Sequence, residues 1–234
     1  MIINQKENRW KYIFKGLGVI FLYFFISFTK NILLTLLGID LENIKEITYR
    51  IYSLIIEIIM FLIIYLIYES EFNEAIDDIK KNHEKYFKEN LKYYIIGIIV
   101  MFGSNIIINL LGGGLSANEG SVRNEFYSYP ITTYISAVFL APIIEESVFR
   151  LSFNAIFKNK TLFIIFSGLT FGYLHVISMP LNILFPLYLL SYSSCGLAFA
   201  YMMKKTNNIL VPAGFHLMHN GIMMSMQIFL LIFS

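Results

Sequence analysis

The sequence contains little charge and a single cysteine. Only 15% of its 234 residues are charged, against about 25% in a typical soluble domain, whereas 57% are hydrophobic and the mean hydropathy is +0.64. This composition excludes most soluble enzymes and disordered tail proteins. A net charge of only +2 argues against nucleic-acid binding. The lone Cys195 excludes an intramolecular disulfide and any multi-cysteine zinc site.

Long apolar stretches account for most of the chain, and each is long enough, or nearly so, to cross a hydrocarbon core of about 30 Å as a helix. Their approximate limits are 16–37, 48–68, 93–112, 131–157, 161–178, 183–203 and 209–232. They do not alternate apolar with polar residues, which disfavours a β-barrel. The first stretch lacks a small-x-small cleavage site and is expected to remain as an anchor. The sequence therefore predicts an all-α, polytopic transmembrane helix bundle of about seven spans.

The basic residues indicate the orientation of these spans. Most of them fall in the N-terminus and in the second, fourth and sixth loops: Lys6, Arg9, Lys11, Lys15, Lys80, Lys81, Lys85, Lys88, Lys92, Lys158, Lys160, Lys204 and Lys205. The opposite loops, together with the adjoining end of the second stretch, hold only Lys45, Arg50 and Arg123. Because basic residues concentrate on the cytoplasmic side, the N-terminus is predicted to be cytoplasmic and the C-terminus to lie outside.

Two connecting segments are long enough to have structure of their own. Residues 69–92 carry apolar side chains at helical spacing among charged ones, which predicts a helix on the cytoplasmic membrane surface or, equally, a solvated helical linker. Residues 113–130 begin in a glycine run, so we expect a flexible extracytoplasmic connector there rather than a lid.

Ionisable side chains inside a bilayer are energetically costly and usually functional. Apart from Lys30, which can snorkel from the outer end of the first span, those inside the predicted spans are Glu57, Glu145, Glu146, Arg150, His175, His216 and His219. All except Glu57 lie in spans four, five and seven. Glu57 is alone in span two, and we expect it to form a helix–helix hydrogen bond.

Helical spacing separates the two neighbouring glutamates. Glu146 and Arg150 are four residues apart, which places them on one helix face in the favourable order for an ion pair. Glu145 points about 100° away from that face. We therefore expect Arg150 to neutralise Glu146 and to leave Glu145 available for chemistry.

Polar residues on three different spans fall at a similar depth. At the helical rise, Glu145, His175 and His216 lie roughly 20, 22 and 17 Å from the nearest predicted cytoplasmic lysine. Asn220 follows His216 by four residues and shares its helix face. Pro142, just before Glu145, can kink span four and leave backbone carbonyls free. The matched depths favour one shared site over separate packing contacts.

Three short motifs carry a resemblance to a known family. They are E-E-x-x-x-R at 145–150, F-x-x-x-H at 171–175 and H-x-x-x-N at 216–220. In this order, on successive hydrophobic segments, they resemble the CAAX protease and bacteriocin-processing (CPBP, or Abi) family of intramembrane proteases. We accordingly predict an intramembrane protease core over 126–234, preceded by variable transmembrane helices and the cytoplasmic segment over 1–125.

The resemblance implies endopeptidase activity within the membrane. It implies that Glu145 and His175 activate a water and that His216 and Asn220 stabilise the oxyanion. Glu146 and Arg150 would support the site. The expected partners are membrane lipid and a hydrophobic or membrane-anchored peptide substrate, in bacteriocin or signalling-peptide maturation or in self-immunity. The high content of Ile, Phe, Tyr, Lys and Asn suggests an AT-rich genome, which would suit a low-GC bacterium. We therefore expect the protein in a bacterial plasma membrane.

Several alternatives stay open. We expect no cofactor, but Glu145, His175 and His216 could bind zinc even though H-E-x-x-H is absent. Small residues at 191–195 are more simply explained by helix packing than by a nucleophile, because no G-x-S-x-G elbow is present. Two other functional classes also stay open. One is a transporter, which the absence of internal sequence repeats disfavours, and the other is a non-proteolytic immunity or scaffold protein.

Overall fold

The computed structural model describes residues 9–40 and 43–233, and within these ranges the chain forms eight helices and no strand. They are α1 (Arg9–Leu36), α2 (Glu46–Ile67), α3 (Glu69–Leu110), α4 (Ala117–Ser128), α5 (Pro130–Ile156), α6 (Lys160–Val176), α7 (Phe185–Thr206) and α8 (Leu210–Phe233). The all-α prediction is confirmed. Lys6, one of the basic residues that set the predicted orientation, lies outside the described residues.

Each predicted span coincides with a helix or with part of one. Among the described residues, α1, α2, α3 and α5 are long and apolar enough to cross a membrane by length and composition, and α6 is a shorter apolar helix. Large apolar side chains cover their outward faces, among them Phe21, Leu62 and Ile99. These features fit an integral membrane protein, whereas the count of seven spans and the cytoplasmic N-terminus stay predictions.

The helix α3 is longer than the sequence suggests. It runs unbroken for 42 residues, so the helical segment predicted over 69–92 and the span predicted over 93–112 form one continuous helix. The physical reason is that no glycine or proline occurs between residues 69 and 96 to end the helix. At 1.5 Å per residue it is about 63 Å long, roughly twice the hydrocarbon core, so about half of it extends beyond the membrane. The helical conformation of 69–92 is confirmed; its position on a membrane surface stays a prediction.

Side-chain contacts fix the N-terminal half of α3 to the rest of the bundle. Phe72 and Ala75 are buried in the main apolar core. The Nδ2 of Asn208, in the connection between α7 and α8, donates to the Ala75 carbonyl over 3.0 Å and to Asp78 Oδ2 over 2.7 Å. The segment therefore packs as part of the bundle and is not a solvated linker.

Residues 113–130 are not the flexible connector expected from their glycines, because most of them form α4. Ser116 caps this helix by accepting a hydrogen bond at Oγ from the Glu119 backbone N–H over 3.1 Å. Serine followed three residues later by glutamate is the pattern of a capping box, a signal that our sequence analysis did not use. Phe126 is buried against Val138 of α5 and Met224 of α8, so α4 is packed onto the bundle.

The backbones of α6 and α7 lie in direct contact. A Cβ at Gly168 would lie 2.8 Å from Leu197 Cα, and a Cβ at Gly172 would lie 2.6 Å from the Ser193 backbone nitrogen. Both distances are too short for any side chain. Small residues are thus required at this crossing, as expected for close helix packing, and Ser193 is one of the residues in contact there.

The helix α5 contains two wider, π-helical turns, Ile135–Leu140 and Ser147–Ser152, on either side of Ala141–Glu146. In the first of them the Ala141 N–H bonds the Ser136 carbonyl, five residues earlier. The next bond of that series would join Pro142 to the Ala137 carbonyl, but proline has no N–H. Pro142 therefore cannot supply the Ala137 carbonyl with its partner inside the helix, as expected. Instead, Asn220 Nδ2 of α8 donates a hydrogen bond to this carbonyl over 2.7 Å.

Candidate active site

The polar residues of α5, α6 and α8 meet at one cavity of about 480 Å³. Its lining includes Glu145, His175, His216 and Asn220 and also apolar side chains of α3 and α8. Ligand cavities in proteins commonly measure about 300–1,000 Å³. The structure thus brings together, around one cavity, four of the six residues that the sequence singled out.

The other two residues lie beneath the cavity wall as a closed ion pair. Arg150 Nε donates to Glu146 Oε2 over 2.8 Å, and Nη2 donates to Oε1 over 3.1 Å. Both side chains are fully buried. Arg150 Nη1 also donates to Ser167 Oγ over 2.7 Å, which ties α5 to α6. The expected division holds: Glu146 is paired with Arg150, and Glu145 faces the cavity.

The His216 ring lies between the two glutamates. Its Nδ1 is 3.1 Å from Glu146 Oε1, and its Nε2 is 3.8 Å from Glu145 Oε2. The ring stacks on Phe199 with centroids 5.1 Å apart and meets the edge of Phe171 at 5.5 Å. Because the carboxylate of Glu146 can only accept, Nδ1 carries a proton and Nε2 is directed to Glu145.

His175 is held in place by a hydrogen bond and by a ring contact. Its Nδ1 lies 2.8 Å from the Phe171 carbonyl oxygen, one helical turn earlier. A carbonyl only accepts, so Nδ1 holds the proton and Nε2 of the neutral ring keeps a lone pair. The ring stacks on Tyr192 with centroids 5.0 Å apart, and the Tyr192 hydroxyl is 2.6 Å from Ser116 Oγ. This chain of contacts links His175 to the start of α4.

Asn220 is held by one of its two amide hydrogens. Its bond to the Ala137 carbonyl uses the first hydrogen of Nδ2 and sets the orientation of the side chain. The second hydrogen is left to serve a ligand in the cavity, since a primary amide carries two donors.

Two further ionisable residues have structural partners. Ser136 Oγ donates to Glu57 Oε2 over 2.5 Å, which confirms the helix–helix hydrogen bond expected for Glu57. His219 lines the cavity, and its Nδ1 is 3.4 Å from the Tyr94 hydroxyl.

Sequence reasoning missed part of the cavity wall. Glu119 and Arg123 of α4 and Gln227 of α8 also line the cavity. Gln227 could have been found, since it lies seven residues after Asn220 and so on the same helix face. The part played by α4 had no comparable signal, because it depends on the packing of Phe126.

The zinc alternative needs three ligands in one cluster. Within residues 9–40 and 43–233, no group of three His, Cys, Asp or Glu side chains is placed to hold a metal ion. In this structure Glu145 approaches His216, while His175 is held by the Phe171 carbonyl. The use of a metal and the catalytic roles of the six residues stay predictions.

Comparisons with known proteins support a common ancestry for this region. Residues 127–222 match the family described as Type II CAAX prenyl endopeptidase Rce1-like. An uncharacterized protein of Mycoplasma capricolum is 28% identical over 224 residues, covering 86% of this chain and 65% of that protein. The Bacillus subtilis protein named "Putative membrane peptidase YdiL" is 28% identical over 142 residues, covering 59% of this chain and 49% of that protein.

In both relatives the matched part is less than two-thirds of the relative's length. No solved structure matches the chain. The matched family segment contains all six of the residues predicted from the motifs, from Glu145 to Asn220. The segment that is similar to the Rce1-like family of type II CAAX prenyl endopeptidases is therefore the one that carries Glu145, His175, His216 and Asn220 to the cavity.

Proposed function

We propose that the protein is an intramembrane endopeptidase that hydrolyses a hydrophobic or membrane-anchored peptide. The observation that carries the proposal is the shared cavity, into which Glu145, His175, His216 and Asn220 project from three helices. The similarity of residues 127–222 to the Rce1-like family and the name of the Bacillus subtilis relative support the same activity.

The reaction begins with a water held between Glu145 and His175. The water oxygen attacks the carbonyl carbon of the scissile bond, and its proton passes to the lone pair of His175 Nε2 or to the Glu145 carboxylate. The same group returns the proton to the amide nitrogen as the carbon–nitrogen bond breaks. Positioned acid–base groups of this kind contribute roughly 10²–10⁴-fold to a rate.

The negative charge that develops on the carbonyl oxygen needs donors. Asn220 supplies the second hydrogen of Nδ2, and His216, protonated at both ring nitrogens in this step, supplies the hydrogen on Nε2. Glu146 holds His216 through Nδ1, and Arg150 holds Glu146, so the buried ion pair sets the position of an oxyanion donor. Loss of one such donor lowers kcat by about 10²–10³-fold in known cases.

The substrate follows from the location of the cavity. A site among membrane helices receives a segment that is already in the bilayer, so a hydrophobic precursor or a lipid-anchored peptide fits. We place the protein in a bacterial plasma membrane and connect its activity with maturation of a signalling peptide or bacteriocin, or with self-immunity.

Comparative peptidomics tests this proposal. Cells that carry the wild type, Glu145→Gln or His175→Ala are compared, with Glu84→Gln and His83→Ala as matched controls on the exposed surface of α3. Both site variants are expected to lose the same set of cleavage products, whereas both controls keep it. An unchanged cleavage map in Glu145→Gln, at normal expression, would contradict proteolysis and favour the scaffold or transport alternatives.

A further inference from the structure

One cavity-lining residue has no partner for its buried polar atom. Gln227 of α8 is only 5% exposed and lines the cavity. Among the described residues, its Oε1 atom is buried without any hydrogen-bond partner. A buried amide oxygen without a partner costs roughly 1–3 kcal/mol. Because Gln227 lines the cavity, rotation of its side-chain amide would present this acceptor to a ligand with an N–H or O–H group.

The position of Gln227 relates this acceptor to the proposed oxyanion donors. Gln227 follows Asn220 by seven residues, which is two helical turns along the same face of α8. At 1.5 Å per residue the two positions are about 10 Å apart along the helix. Met224, between them, packs on Phe126 of α4, and Gln227 lines the same cavity as Glu119 and Arg123 of α4.

The distance between Asn220 and Gln227 along α8 corresponds to a whole number of residues in an extended substrate peptide. An extended peptide advances about 3.3 Å per residue, so about three residues cover 10 Å. Every residue of such a peptide other than proline offers one backbone N–H. A substrate with its scissile carbonyl at Asn220 would thus present a backbone N–H to Gln227 about three residues away.

We propose that Gln227 forms a substrate-binding subsite that accepts a hydrogen bond from a backbone N–H about three residues from the scissile bond. This inference rests on the endopeptidase function proposed above. The Oε1 atom accepts a hydrogen bond from the substrate backbone and contacts no particular side chain. The subsite therefore fixes the position of the substrate along the cavity and tolerates different substrate sequences.

The first test repeats the peptidomic comparison with Gln227→Leu, which removes the acceptor at similar size. Met226→Leu is the matched control, because Met226 is 52% exposed on the outer side of α8. We expect Gln227→Leu to lower the Glu145-dependent products by about fivefold to tenfold and Met226→Leu to leave them unchanged. Unchanged Glu145-dependent products in Gln227→Leu would overturn the subsite alone. Absence of any Glu145-dependent product would overturn the endopeptidase function and the subsite with it.

The second test works on the wild-type protein and so does not depend on the folding of a variant. A synthetic Glu145-dependent precursor carries one ester in place of one amide, in turn at each position within five residues of the cleaved bond. Each ester removes a single N–H. We expect kcat/KM to fall by about fivefold to tenfold for the ester at the third residue, with no further loss in Gln227→Leu. An equal response at every position would overturn the subsite.

Discussion

Arg150 holds both oxygens of Glu146, with Nε 2.8 Å from Oε2 and Nη2 3.1 Å from Oε1. Neither side chain is exposed. The same Oε1 atom is 3.1 Å from His216 Nδ1. A planar, two-point pair thus fixes the direction of an imidazole that faces the cavity. The pair acts through His216 and is a positioning device in the proposed reaction.

Replacing one member of this pair is expected to destabilise the protein strongly. Arg150→Leu leaves the Glu146 carboxylate buried without its cation, which costs about 3–5 kcal/mol of unfolding free energy. Thermal unfolding in detergent measures the change. The double variant Glu146→Gln with Arg150→Leu leaves no buried charge, so we expect it to recover part of the stability while activity stays low. Equal stability of Arg150→Leu and the wild type would contradict the role of the pair.

The contact between α6 and α7 should not tolerate a single methyl group. A Cβ at Gly172 would overlap the backbone of Ser193, so Gly172→Ala is expected to lower the unfolding free energy by about 1–3 kcal/mol. Gly103→Ala is the matched control, because nothing lies within 4 Å of its Cβ position on α3. It should be neutral or stabilise the helix by about 0.5–1 kcal/mol. Similar melting temperatures for the two variants would show that the crossing is looser than described.

The small residues that line the cavity on α7 should not act as nucleophiles. The Oγ of Ser191 donates to Asn105 Oδ1 over 3.0 Å, and Cys195 is 6% exposed. We expect Ser191→Ala and Cys195→Ala each to keep cleavage within about threefold of the wild type, whereas removal of a covalent nucleophile costs several orders of magnitude. Trapping an acyl-enzyme on either residue would contradict a water nucleophile.

Metal dependence can be measured directly on purified protein. The proposed mechanism uses carboxylate, imidazole and amide groups, so we expect cleavage to continue after treatment with a strong zinc chelator and dialysis. Metal analysis of the same sample reports whether zinc was removed. If chelation abolished cleavage and added Zn²⁺ restored it, the alternative with Glu145, His175 and His216 as ligands would replace the present one.

Short-range patterns predicted which motif residues meet at the cavity better than they predicted the rest of its walls. The four-residue spacing of Glu146 and Arg150 identified the ion pair, and the 100° turn to Glu145 identified the cavity-facing carboxylate. The similar depth of His175 and His216 in their spans predicted that they share one site, and both line the cavity. These relationships depend only on helix geometry, which the sequence determines locally.

Features that depend on packing between distant segments were not predictable in the same way. The stacking of Tyr192 on His175 and its hydroxyl contact with Ser116 join α7, α6 and the start of α4. The spacing of residues along one helix does not predict contacts between residues so far apart in the sequence. The continuity of α3 was not predicted for a different reason, because its change from polar to apolar composition near residue 93 led to two separate helical segments in the sequence analysis.

The central claim is that Glu145 takes part in the hydrolysis of a peptide bond of the substrate in the cavity. The most direct measurement compares purified wild type and Glu145→Gln, reconstituted in liposomes, for cleavage of a precursor found by peptidomics, with thermal unfolding as a check on folding. The account predicts equal unfolding temperatures within a few degrees and a rate at least about 10²-fold lower for Glu145→Gln. Equal cleavage rates for the two proteins would contradict it.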